Sequence, residues 1–214
     1  MAWSTVRKDI YTRKSTETEI SIELNIDGQG KNEIKTPIGF LNHMLELFSF
    51  HGFFDLKLEV IKGDMHVDSH HTNEDTGIAL GKAFKKILGE EKFGIKRFGS
   101  AFAPMEETLG HTVIDICGRP HLELTLNKQK PESQPPISNQ REYSFKDLEH
   151  FLLSFAKNLG ATIIVTVTTP EGFTTQLHEL AETVFKSLGM ALDQATQIDP
   201  RREGKIPSTK GIID

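Results

Sequence analysis

The sequence predicts a mixed α/β protein built as two similar lobes, and three observations carry that expectation. Stretches that alternate polar and apolar residues, the pattern of half-buried strands, are interleaved with helix-forming runs. The order strand, helix, strand, helix occurs in both halves of the chain. In both halves the last helix opens on the same spacing, His70 to Glu74 and His178 to Glu182. An internal duplication accounts for all three, with lobes at 1–92 and 93–214 forming one compact unit.

The elements follow in order. Glu19–Gly28 alternates and then stops at Asp27-Gly28, a strand running into a turn. Gly39–Gly52 is apolar on more than one face and reads as a buried helix that carries His43 and ends near His51. Asp55–Val60 is a second strand, and a helix opened by the double-histidine segment runs to about Leu88-Gly89. In the second half, Thr112–Cys117 and Leu122–Leu126 read as strands around a Gly118-Arg119-Pro120 break. A Lys/Gln/Pro/Ser-rich stretch from about Asn127 to Glu142 reads as an exposed, mobile loop. Then come a helix at Asp147–Ala156, a β-branched strand at Ala161–Val167 and a last helix from Gln176 through Leu192.

Composition narrows the function. A chain of 214 residues can bury a full core. A net charge of −5 argues against a nucleic-acid surface, which is normally basic. The one cysteine, Cys117, precludes a disulfide framework within the chain and fits a reducing compartment; its apolar surroundings point to a buried structural thiol. No run reaches membrane-spanning length and the first residues lack a signal-peptide core, so the expectation is a cytoplasmic protein.

The chemistry concentrates in Asp68-Ser69-His70-His71-Thr72-Asn73-Glu74-Asp75. On a helix, His70 and Glu74 stand one turn apart and can hold one metal ion from one face. His71 is rotated about 100° away, which suggests two metal positions, or one metal plus a proton donor. As a plain helix start, the same segment would offer Asp68 or Ser69 as N-cap and its acidic residues to the helix dipole. The repeat of the spacing at His178 and Glu182 favours the metal. The tail around Ser208-Thr209-Lys210-Gly211 is basic and small, suited to clamping a phosphate dianion, with Arg97 and Arg119 as further guanidinium forks.

With these residues in view, the chain resembles the imidazoleglycerol-phosphate dehydratases of histidine biosynthesis over nearly its whole length. The motifs are Phe40-Leu41-Asn42-His43-Met44-Leu45, His70-His71-Thr72-Asn73-Glu74-Asp75, Arg97-Phe98-Gly99, Gly118-Arg119-Pro120, Glu182 with Phe185-Lys186, and Pro207-Ser208-Thr209-Lys210-Gly211. The resemblance implies duplicated ribosomal-S5-domain-2-like lobes, each a sheet under helices. It implies trimers assembled into a homo-24-mer, active sites between subunits and two Mn2+ per site. One manganese would take His43, His71, His178 and Glu182; the other would take His70, Glu74 and two further histidines. Glu17 would approach the substrate as acid/base, with His71 and Glu182 beside it, and His51, Arg97, Arg119, Ser208 and Lys210 would bind it.

The sequence also departs from that pattern. Ile164 stands where the family has a histidine in Thr-Leu-His, and Glu179 where it has the second histidine of its pair. Glu179 can still offer a carboxylate oxygen to a metal. By this count the second site keeps His70 and Glu74, so the expectation is one tight manganese and a second, weaker one. The implied reaction dehydrates a diol phosphate to imidazole acetol phosphate through a metal-bound imidazolate, with the phosphate clamp orienting the ring. The alternative is a family homologue whose chemistry is impaired or changed by the altered second site.

Overall fold

Two four-stranded sheets of identical topology take up every strand among the described residues. The structure is a computed structural model describing residues 6–90, 92, 94–127, 143–173, 176–202 and 204–213. The first lobe runs β1 (Lys8–Lys14), β2 (Glu19–Asn25), β3 (Asn32–Lys35), α1 (Gly39–His51), β4 (Asp55–Lys62) and α2 (His70–Leu88). The second repeats it as β5 (Phe98–Met105), β6 (Thr108–Asp115), β7 (His121–Leu126), α3 (Phe145–Leu159), β8 (Thr162–Thr168) and α4 (Leu177–Thr196), before a 3-10 turn at Pro200–Arg202. The strand orders are β1-β2-β4-β3 and β5-β6-β8-β7. In each sheet the pair β3/β4 or β7/β8 is parallel and the others are antiparallel.

The sheets bury one face, as period-two patterning requires. Ile20, Ile22 and Leu24 of β2, and Ile163, Val165 and Val167 of β8, point into the core. Their neighbours Glu23 and Ile164 point away from it. The helices from both lobes join one apolar cluster, in which Phe48, Phe84 and Phe155 of α1, α2 and α3 meet with ring centroids 6.0–6.1 Å apart. Each such ring contributes roughly 1.5–3 kcal/mol by burial.

Two glycines set how closely the helices approach. A Cβ on Gly81 of α2 would lie 2.6 Å from the Phe155 carbonyl of α3, and one on Gly189 of α4 would lie 2.4 Å from the Phe48 carbonyl of α1. Gly81 and Gly189 occupy the same place in the two lobes, and so do Phe155 and Phe48. Hence α2 packs on α3 as α4 packs on α1, each pair formed across the lobes.

The expected helices and central strands are present, with ends that differ by a few residues. Three strands were not expected: β1, β3 and β5. Strand β1 is a largely exposed, charged edge strand, β3 has four residues, and β5 contains Gly99 and Pro104. Strand β6 starts earlier than expected and ends at Asp115, so Cys117 lies in the following turn as a buried free thiol. The expected loop falls at 128–142, outside the described residues apart from Asn127. No helix among the described residues is long and apolar enough to cross a membrane.

Candidate metal centre and phosphate clamp

The N-termini of the four helices carry the candidate ligands. At α2 the N-cap residue Ser69 makes no side-chain cap hydrogen bond, and the Asp68 carboxylate before it accepts the His70 backbone N–H at 2.7 Å. His70 Nε2 then lies 3.4 Å from Glu74 Oε2, the pairing expected from the i, i+4 spacing. At α3 a reciprocal capping box starts the helix. Ser144 Oγ accepts the Asp147 N–H, and Asp147 Oδ2 accepts the Ser144 N–H at 2.8 Å. That start places His150 on the second turn, where its Nδ1 lies 3.2 Å from His70 Nδ1. His70, Glu74 and His150 form one group whose ligand atoms all lie within 4.8 Å of one another.

The second group is the counterpart of the first. His178 Nε2 and His43 Nε2 both meet Glu182 Oε1, at 2.9 and 3.2 Å. Here α4 supplies the His-x-x-x-Glu pair and α1 the additional histidine, again within 4.8 Å. Lys186 Nζ holds the other Glu182 oxygen at 2.6 Å. Burial pushes this carboxyl up, but Lys186 and the two imidazoles outweigh it and hold it at about 2. Glu182 is therefore ionised at neutral pH, as a metal ligand must be. His51, at the other end of α1, is lowered by burial and by the Lys186 ammonium, against the pull of Glu182.

His71 stands apart from both groups. Its Nδ1 meets Asp64 Oδ2 at 2.8 Å, with Glu17 Oε2 at 3.9 Å, and these three make a third convergent cluster. The Asp64 hydrogen bond raises the His71 pKa, against partial desolvation and with help from Glu17. So His71 does not join His43, His178 and Glu182 within one chain. Glu179, half-buried on the first turn of α4, joins no convergent group among the described residues.

Two observations bear on the ligand count. His150 was read only as part of a helix, although the repeat points to it. Leu41-Asn42-His43-Met44-Leu45 matches Leu148-Glu149-His150-Phe151-Leu152, with Phe48 and Phe155 in register beyond. The cluster with His70 and Glu74 therefore has a third candidate ligand. Ile164 is 44% exposed and projects from β8 on the face opposite the core residues Ile163 and Val165. In one chain that position does not face the helix N-termini.

The residues expected to form an anion clamp line one cavity. Arg97, Cys117, Arg119, Ser208, Thr209, Lys210 and Ile212 line a cavity of about 120 Å³. Arg97 has a left-handed backbone (φ 75°), costly for a side-chain-bearing residue and held here by several bonds. Its N–H donates to the Ala195 carbonyl, and its guanidinium forks onto Asp115 at 2.6 and 2.9 Å. Nη1 donates to the Pro207 carbonyl at 2.9 Å, which pins the tail beside the cavity. The clamp thus sits at the C-terminal end of α4, whereas His178 and Glu182 sit at its N-terminal end. At 1.5 Å per helical residue, the 17 steps from His178 to Ala195 put the two about 25 Å apart.

Comparison with known proteins agrees with this architecture. A family model described as imidazoleglycerol-phosphate dehydratase matches residues 36–192. The imidazoleglycerol-phosphate dehydratase of Thermoanaerobacter pseudethanolicus is 47% identical over 210 residues, covering 97% of this chain and 100% of the relative. That of Prochlorococcus marinus strain AS9601 is 44% identical over 211 residues, covering 99% and 98%. Among solved structures, the Pyrococcus furiosus enzyme aligns with a TM-score of 0.73 at 32% identity, covering 94% of this chain and 99% of that one. The Staphylococcus aureus enzyme aligns with a TM-score of 0.71 at 30% identity, covering 89% and 100%.

Proposed function

From the premise that the chain belongs to the imidazoleglycerol-phosphate dehydratase family and dehydrates imidazoleglycerol phosphate in histidine biosynthesis, we propose that its active site is shared between copies. Metal-binding residues come from one copy and the phosphate clamp from another. The separation of about 25 Å along α4 carries this reading, because an imidazole ring and a phosphate joined by three carbons span far less. The location of His71 supports it too. If His71 ligates the ion held by His43, His178 and Glu182, a neighbouring copy can supply it.

The donor chemistry fits a divalent metal. The groups His43, His178, Glu182 and His70, Glu74, His150 each offer two imidazole nitrogens and one carboxylate oxygen, close enough to surround one ion. We assign Mn2+ to both, as mixed nitrogen and oxygen donors allow, with Glu179 available as a further oxygen ligand. His43, His178 and Glu182 would hold one ion and His70, Glu74 and His150 the other, and metal charge there would favour loss of the proton from the substrate's ring N–H. The protein's residues do the rest. Arg119, Ser208 and Lys210 bind the phosphate dianion, and Arg97 holds the tail that carries two of them. Glu17, at the exposed tip of the β1–β2 turn beside His71, moves the substrate proton. His51 lines the substrate path.

Shared sites require an assembly, for which we propose the trimer-based homo-24-mer, acting in the cytoplasm. Phe98, Phe102 and Ile164 are 56%, 60% and 44% exposed on one face of the second sheet, with Leu109 and Val113 beside them. An apolar patch of this kind is characteristic of protein–protein contact.

Subunit mixing tests the reading. Lys210→Ala and His178→Ala should each be nearly inactive as pure proteins. Co-expressed, they should regain a substantial fraction of wild-type activity, because some sites draw both intact halves. Absence of recovery in verified mixed assemblies would show that each site is built within one chain.

A further inference from the structure

The segment between β4 and α2 folds back onto the helix it introduces. The Asp64 N–H donates to Thr72 Oγ1 at 3.1 Å, and the Asp64 carbonyl accepts the Val67 N–H at 3.1 Å. Thr72 is fully buried in the first turn of α2, one residue beyond His71. Asp64 is itself buried, and its two carboxylate oxygens each meet an imidazole: Oδ1 meets His66 Nδ1 at 3.0 Å and Oδ2 meets His71 Nδ1 at 2.8 Å. Glu17, at 3.9 Å, is beyond hydrogen-bond reach of the same nitrogen.

We propose that Asp64 is a positioning residue that fixes the tautomer and direction of the His71 ring, so that Nε2 is presented as the ligand atom. This rests on the reading of His71 as a metal ligand. An ionised carboxylate only accepts hydrogen bonds, so His71 Nδ1 carries a proton where it meets Oδ2. In the neutral ring the lone pair then resides on Nε2. Partners of this kind orient metal-bound histidines and raise their basicity. Since the Asp64 backbone is tied to Thr72, the carboxylate keeps register with the helix turn that carries His71.

The internal repeat provides an independent comparison. Aligning His70 with His178 puts Glu179 opposite His71, and a carboxylate has no tautomer to select. Counted back from the same pair, Gly172 stands opposite Asp64, and Leu180 stands opposite Thr72. The buried carboxylate and its hydroxyl anchor occur in the lobe that has the imidazole and not in the lobe that lacks it.

Mn2+ binding to the metal-stripped full-length protein, read from free ion by electron paramagnetic resonance, tests the inference without turnover. Asp64→Asn should weaken the tighter binding phase 10–100-fold, Asp64→Glu should recover most of that loss, and His66→Ala should leave affinity within twofold of wild type. Wild-type affinity in Asp64→Asn alongside weakened binding in His71→Ala would overturn the role of Asp64 alone. Wild-type affinity in His71→Ala would overturn the ligand reading beneath it. If Asp64→Asn does not fold, Thr72→Val takes its place. It keeps the carboxylate but removes its anchor; several-fold weaker binding supports the inference and unchanged binding overturns it.

Discussion

Removing His150 should cost the protein one metal position and leave the other intact. The group formed by α2 and α3 has three candidate ligands, His70, Glu74 and His150, with one ligand atom from each lying within 4.8 Å of the others. That spread suits donors around one ion, since bonds near 2.1 Å put adjacent donors about 3 Å and opposite ones about 4.2 Å apart. Without His150 only the two ligands on α2 remain. Changes one shell further out already cost 10–100-fold in affinity, so His150→Ala should lose at least that, or about 1.4–2.8 kcal/mol. The assay is metal content after dialysis against micromolar Mn2+. Wild type should retain two ions per chain, His150→Ala one, and His43→Ala the other one. Ile164→His should change nothing within a chain, because that side chain leaves β8 on the face away from the helix starts. Wild-type metal content in His150→Ala, or an added ion in Ile164→His, would refute this assignment of ligands.

Three further outcomes are expected. Lys210→Ala and Arg119→Ala should each weaken inhibition by inorganic phosphate by roughly 1.5–3 kcal/mol, the worth of a hydrogen bond to a charged group; unchanged inhibition would place the clamp elsewhere. Gly99→Ala should lower urea stability by about 1–3 kcal/mol, because its Cβ would lie 1.9 Å from the Ala191 carbonyl oxygen, and a denaturation midpoint equal to wild type would contradict that packing. Stability of the metal-free protein should hold from pH 7 to 5 and fall below about pH 4. Asp27, held down by Arg7 against burial, and Asp55, held down against burial by the Gln29 and Lys31 N–H groups, both have lowered pKa values. Stabilisation from a lowered carboxyl is complete above its unfolded pKa and is lost as pH falls through the folded one. Denaturation midpoints that do not fall between pH 4 and 3 would count against it.

How far the sequence disclosed the site depended on the range of the signal. His70 with Glu74 and His178 with Glu182 were legible because one helical turn links them, whatever the rest of the fold does. Arg97, Arg119, Ser208 and Lys210 were legible as anion-binding types in loop surroundings, and the fold gathers them around one cavity. His150 was not, because its partners lie on another helix in the other lobe and it follows an acidic residue inside an ordinary amphipathic pattern. The repeat held the signal, since Leu-x-His-x-Leu precedes each His-x-x-x-Glu helix, but only the latter spacing was compared. The separation of His71 from His43 could not be read at all. Both belong to one implied ligand set, and only the geometry of the chain shows that they point to different clusters. The missed strands share a cause: β1 has no strong alternation at an exposed edge, β3 is too short to show a period, and β5 carries residues that usually interrupt strands.

On the function proposed above, the duplication also explains why one clamp would serve a nearly symmetric pair of metal-binding groups. Each lobe has an arginine before its first strand forked onto an aspartate near the end of its second: Arg7 on Asp27 at 2.9 and 2.5 Å, and Arg97 on Asp115 at 2.6 and 2.9 Å. Nη1 donates to a distant carbonyl in both, Thr196 for Arg7 and Pro207 for Arg97. The fork is thus an inherited structural tie, and its partner makes the difference. In the first lobe the carbonyl belongs to the last turn of α4. In the second it belongs to the tail that brings Ser208 and Lys210 against Arg119. Two similar metal groups alone would accept an imidazole ring in either sense, because each offers the same donor types. A cationic cavity formed on one lobe only gives the substrate a defined head and tail. On this argument the tail supplies orientation as well as affinity. On the function proposed above, the chain would keep two near-equivalent metal groups while directing proton removal to the carboxylate of Glu17.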